Sequence, residues 1–148
     1  EQALMRMKRA EPSFGVGEFL NGARGAYEWI LMAFEKGDME IIKDFLSADV
    51  YDAFDSVVQA RAAQGLTVDA QFIGVREVTL VNAIFADDTR RATIDVKFIG
   101  ELTSVVRDAD GTIVEGDANT IKRQKDVWSF SRVMGSDDPN WQLVATGD

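Results

Sequence analysis

Residues 19–38, FLNGARGAYEWILMAFEKGD, decide the fold. Apolar side chains recur at Val16, Phe19, Leu20, Ala23, Ala26, Tyr27, Ile30, Ala33 and Phe34. That is the i, i+3/i+4, i+7 spacing of a long helix with one core-facing stripe. Lys36 falls in the last turn, where a cation suits the helix dipole, and Gly37 supplies the stop. A second stripe, Gly22, Gly25, Trp29 and Met32, lies away from the first. Small residues beside a tryptophan predict close approach by another element. That element is either a neighbouring helix of the same domain or something outside it, so Trp29 and Met32 form the candidate partner surface, a homodimer being one option.

Working towards the N-terminus, Ser13 is the expected helix cap. Residues 1–13 read as a separate arm in which Arg6, Lys8 and Arg9 stand among Leu4, Met5 and Met7. Such an arm, a fraying helix or a swapped element by its pattern, is either an ordinary solvated terminus or a contact for an anionic membrane surface. Phe14 in the first helical turn joins Arg6, Lys8 and Arg9 as a candidate membrane contact. The domain proper is read as residues 14–148.

Working towards the C-terminus, DMEIIKDFL (38–46) predicts a short second helix with Met39, Ile42, Phe45 and Leu46 inward. Ser47 caps a third helix that ends at Gly65 and turns Val50, Tyr51, Phe54, Val57 or Val58, and Ala62 inward. At Gly65 the period changes from 3.6 to 2. Leu66 to Phe85 predicts a long strand whose phase slips at Ile73-Gly74, the signature of a bulge. Before the slip Val68, Ala70 and Phe72 align; after it Val78, Leu80 and Ile84 do. Asp87-Asp88-Thr89 predicts a turn. The next strand alternates cleanly, with Ala92, Ile94, Val96, Phe98, Gly100 and Leu102 on one face and Asp95 on the other. Asp108-Ala109-Asp110-Gly111 fails the calcium-loop pattern, since loop position 6 is Ile113 and position 12 is Asn119, and predicts a plain hairpin. A third strand spans 112–134. The final one, WQLVAT, places Trp141, Leu143 and Ala145 together. Helices followed by four long antiparallel strands predict an α+β fold, with a strongly bent sheet wrapped on the helices in the cone shared by cystatin-like and nuclear-transport-factor-two-like proteins.

Composition narrows the chemistry. The net charge of −9 disfavours nucleic acid, whose phosphates a binder must neutralise. Without Cys or His there is no disulfide framework, no thiolate metal site and no imidazole base. Neither a catalytic set nor a metal or other cofactor is expected. No run of apolar residues is long enough to span a bilayer, and no signal peptide is visible.

Four segments together carry a family resemblance: FLNGARGAYEWILMAFEKGD, IIKDFLSADVYDAFDSVVQARAAQG, ATIDVKFIGEL and VWSFSRVMGSDDPNWQLVAT. The chain resembles the C-terminal domain of the forty-four-kilodalton import-motor subunit of the mitochondrial inner membrane and its bacterial homologues, over about residues 14–147. The resemblance implies a non-enzymatic domain at an inner membrane, in contact with an anionic lipid surface and with a protein partner. The acidity of the chain favours a bacterial member, held peripherally or through a segment outside this sequence. Two further expectations accompany it. The Lys122-Arg123-Lys125 cluster reads as ordinary surface charge. The cone interior, walled by Tyr27, Ile30, Phe34, Tyr51, Phe54, Phe98, Trp128 and Phe130, is either a filled core or a pocket for a lipid or small hydrophobic ligand. An adaptor would use Trp29, Met32 and the edges of the long strands.

Overall fold

The computed structural model describes residues 2–147; Glu1 and Asp148, the ends of the two segments read from the sequence, lie outside them. The elements run α1 (Gln2–Ala10), α2 (Val16–Lys36), a single 3-10 turn (Lys43–Phe45), α3 (Ala48–Ala63), β1 (Thr67–Ala86), β2 (Arg91–Arg107), β3 (Ile113–Val133) and β4 (Gln142–Gly147). The strands form one open antiparallel sheet in the order β1-β2-β3-β4. The α+β reading therefore holds.

Helix α2 is the axis. Tyr27, Ile30 and Leu31 are buried on its core stripe. Gly37 adopts a left-handed conformation (φ 77°), and its N–H reaches the Ala33 and Phe34 carbonyls. At the other end the cap is Gly15, not Ser13, and it makes no side-chain cap bond. Glu18 folds back against Gly15 instead, placing a carboxylate over the first turn, where the helix dipole favours it. Helix α2 runs closest to β1, and β2 supplies the most sequestered face of the sheet, with Ala92, Ile94, Val96, Phe98 and Leu102 almost wholly buried. Gly100 lets the Tyr27 ring lie against the strand, because a Cβ there would sit 3.0 Å from Tyr27 Cε2. Tyr27 stacks on Phe98 at 4.3 Å, with Trp128 tilted 4.8 Å away. Its hydroxyl donates to Asp126 Oδ2 at 2.6 Å. Burial, reinforced by Asp126, pushes that hydroxyl far above its ordinary pKa, so it stays a donor.

Several local expectations are corrected. The predicted second helix is a turn with one 3-10 step, because Leu46 bridges Leu143 and the Ser47 N–H bonds the Leu143 carbonyl, pulling the segment extended. Met39, Ile42 and Leu46 are nonetheless buried as expected. Strand β1 has three register shifts, at Phe72/Gly74, Val75/Glu77 and Leu80/Asn82, where one was predicted. The third reverses the phase, so Ala83 and Phe85 are buried and Ile84 is exposed. In β4, Leu143 is buried but Ala145 is exposed, following a shift beside Ser129/Phe130. Asp108 Oδ1 accepts from the Asp110 and Thr112 N–H groups, so the DxDG carboxylate serves its own turn.

Residues 2–10 pack into the same core as the rest. Met7 is fully buried and Ala3 nearly so. Arg90 donates to the Ala10 carbonyl at 2.7 Å. Glu11 Oε1 accepts from Arg132 and from the Gly135 N–H, both at 2.7 Å. Burial opposes the charge on Glu11, but the Gly135 N–H and the Arg132 guanidinium outweigh it and hold its pKa below the usual carboxylate range. The clamp is therefore charged at neutral pH. A basic, apolar terminus looks solvated in sequence because its anchors, Arg90, Arg132 and Gly135, lie some 80 to 120 residues away.

Candidate functional site

An apolar groove of about 380 Å³ opens beside the N-terminal half of α2. Phe19 and Trp141 meet edge-on at 4.7 Å, with Phe14 6.1 Å from Trp141 and Phe130 6.2 Å from Phe19. Trp29 closes the far end edge-on against Phe45 at 5.0 Å. The floor is α2 itself at Gly22, Ala23, Ala26 and Ile30. Nothing lies within 4 Å of a Cβ built on Gly22 or Gly25. The close approach predicted for this stripe is therefore absent at Gly22 and Gly25, while Trp29 of the same stripe does meet Phe45. Glu18 is the one charged residue in the groove wall among the described residues.

The residues predicted to wall a cone pocket divide. Ile30 and Phe130 reach the groove. Tyr27, Phe98 and Trp128 pack on one another and fill the space they were expected to enclose. Phe34 and Phe54 pair at 4.7 Å beneath Arg61, and Lys43 lies over Tyr51. Phe14 is buried against Phe19 and Trp141, so its ring serves the groove wall and is not free for a membrane. Of the partner-surface pair, Trp29 is 40% exposed. Met32 is half-buried, in a second hollow with Gly25, Ile41 and Phe72.

The basic residues of α1 also divide. Arg6 turns inward, donating to the Phe85 carbonyl at 3.3 Å and lying 3.5 Å from Asp87. Lys8 donates to the Phe14 carbonyl at 2.9 Å but keeps an exposed side. Arg9 is exposed and pairs with nothing among the described residues. Met5, 57% exposed, lies beside Lys8 and Arg9 with Leu4. The outward face of α1 thus combines two cations with thioether and aliphatic surface.

Sequence reasoning missed Phe19, Phe45 and Trp141 as groove residues. The usable signal was the run of small residues on α2, which marked a vacancy and was read as a contact.

The family model described as Tim44-like domain matches residues 1–148. The chain belongs to the Tim44-like family. It is 25% identical over 146 residues to the mitochondrial import inner membrane translocase subunit TIM44 of Homo sapiens, covering 97% of this chain and 32% of that protein. It is 26% identical to subunit TIM44-1 of Arabidopsis thaliana, covering 93% and 30%. The chain therefore spans about a third of these relatives. Among solved structures, the intermembrane space region of the chloroplast protein ARC6 is similar at 12% identity, with a TM-score of 0.48 over 74% of this chain and 75% of that one. In this Tim44-like domain no described helix is long and apolar enough to cross a membrane.

Proposed function

We propose that this Tim44-like domain is a non-enzymatic adaptor that works at an inner membrane in protein transport, touching an anionic lipid surface while it holds a protein partner. The observation that carries the membrane part is the outward face of α1, where Met5, Lys8 and Arg9 are exposed together. Each cation near an anionic surface adds about 1 kcal/mol, and the apolar side chains can enter the headgroup boundary. The acidic stretch containing Glu35, Asp38, Glu40, Asp44, Asp49, Asp52 and Asp55 would have to point away from the bilayer. Arg6 contributes little, since its guanidinium is held by Phe85 and Asp87.

Liposome flotation tests this. The domain should float with cardiolipin-containing vesicles at low salt and be released at high salt. A Lys8→Glu/Arg9→Glu double variant should lose binding by roughly thirtyfold or more, from the two lost contributions. Absence of flotation at every lipid composition would remove the membrane contact and leave an adaptor alone. A second reading, a carrier of a lipid or small hydrophobic ligand, is favoured by the aromatic lining of the groove, whose volume lies at the low end of the roughly 300–1,000 Å³ typical of ligand pockets.

A further inference from the structure

We propose that the free edge of β3 at residues 122–126 takes up, by strand addition, an extended acidic segment of a partner protein. This rests on the adaptor reading and names the surface and the chemistry of that partner. Backbone, charge and exclusion together select this occupant.

Strand β4 covers β3 only along residues 127–131. Residues 122–126 continue past its end and keep an uninterrupted register against residues 98–102 of β2. Alternate residues of a strand turn their N–H and C=O groups to the same side, so this stretch presents an unbroken row of donors and acceptors where β4 has stopped. Arginines occupy carbonyls on the β1 edge, at Val75 and Phe85. Among the described residues no side chain bonds to the main chain of 122–126. The stretch is bounded upstream by residues 118–121, which fall in the register break between the Leu102 and Ser104 pairings.

The edge is cationic on both faces. Lys122, Arg123 and Lys125 are exposed. Arg123 and Lys125, two residues apart, share one face, and Lys122 points to the other. Arg123 donates to Glu101 at 3.2 Å, and the second oxygen of Glu101 lies 3.7 Å from Arg76. Lys122 and Lys125 pair with no carboxylate among the described residues. The neighbouring Asp126 already accepts from the Tyr27 hydroxyl at 2.6 Å and from Gln124 at 2.9 Å. Opposite charges facing each other across two strands stabilise the pair, and like charges destabilise it. Edge lysines therefore repel most strands, including a second copy of this stretch, which would set cations against cations. Carboxylates on the incoming strand turn that guard into a selector. Glu115 and Asp117 lie just upstream and confine an acidic segment to 122–126. The net charge of −9 slows its approach, but charges beyond about 8 Å are screened at physiological ionic strength, so the contact pairs decide the equilibrium.

The test titrates the chain with a synthetic extended Glu/Thr/Val peptide and with the same peptide carrying Lys in place of Glu. Two further Glu peptides are N-methylated at alternate residues, one in each phase. Amide chemical shifts and hydrogen exchange are followed by NMR. The Glu peptide should give saturable shifts centred on 122–126 and slow exchange there roughly tenfold at ten times its half-saturating concentration. The Lys peptide should give neither. One N-methylated peptide should lose binding, because its pairing N–H groups are blocked, while the other keeps it. A Lys122→Glu/Lys125→Glu double variant should weaken the Glu peptide at least roughly tenfold and gain the Lys peptide, with Tm little changed. Equal binding of the Glu and Lys peptides, the same result from both N-methylated peptides, or no change in the double variant overturns the proposal. Protection of 122–126 that rises with protein concentration alone also overturns it and gives the edge to a second copy. Flotation of the double variant is measured alongside. Lost flotation without peptide binding to the unaltered chain overturns the proposal and gives these cations to the bilayer. Absent peptide binding beside intact flotation defeats it without touching the membrane reading.

Discussion

Gly100 and Gly22 each leave a gap in an aromatic neighbourhood, and only the first gap is filled. At Gly100 the missing side chain is replaced by the Tyr27 ring, stacked on Phe98 and backed by Trp128. At Gly22 the missing side chain is replaced by nothing within 4 Å, although Phe19, Phe130 and Trp141 stand nearby. Gly22 lies on α2 and Gly100 lies on β2 against Tyr27 of α2, and both have aromatic surroundings. What differs is whether another element supplies an opposing side chain. Aromatic content alone does not mark a pocket; a small residue with no opposing group does.

Three measurements would break or sharpen that contrast. Trp128→Ala should have the largest effect, since it opens a cavity in the filled cluster; a loss of about 3–5 kcal/mol in urea unfolding is expected. A loss below about 1 kcal/mol would mean the cluster relaxes like an open site. Gly100→Ala should cost about 1–3 kcal/mol, because the added methyl meets the Tyr27 ring and either the ring or the strand must shift. Gly22→Ala should go the other way, stabilising by roughly 0.5–1 kcal/mol, because alanine suits an exposed helix position and meets no neighbour. The same substitution thus carries opposite signs at the two glycines, and equal signs in thermal melts would erase the distinction drawn between them.

The large outlines were readable from residue order. Periodicity placed α2, α3 and the four strands, and the strict alternation of Ala92 to Leu102 named the buried face of β2. Asp95 was assigned to the opposite face, where it accepts a hydrogen bond from Ser129. The misses have a common physical origin, since each depends on contacts distant in sequence. Helix α1 is held by Arg90, Arg132 and Gly135. The 38–46 segment is straightened by Leu143. The phase reversal that exposes Ile84 comes from a bulge against Asp95 that no glycine announces. The groove was the least legible feature. Its walls come from Phe14, α2, Phe45, β3 and Trp141, and vacancy leaves no pattern in a sequence except small residues that can equally mean contact.

The bulges of β1 have a consequence for association. This strand is one border of the sheet and a place where another chain could add by main-chain pairing. Its register breaks at Phe72/Gly74, Val75/Glu77 and Leu80/Asn82, so no long unbroken ladder of donors and acceptors is presented. Arg24 occupies the Val75 carbonyl at 3.0 Å and Arg6 that of Phe85. The β1 border of the sheet is therefore a poor template for strand addition. A partner at this border must recognise side chains instead, and the same breaks guard this exposed β-edge against templated aggregation.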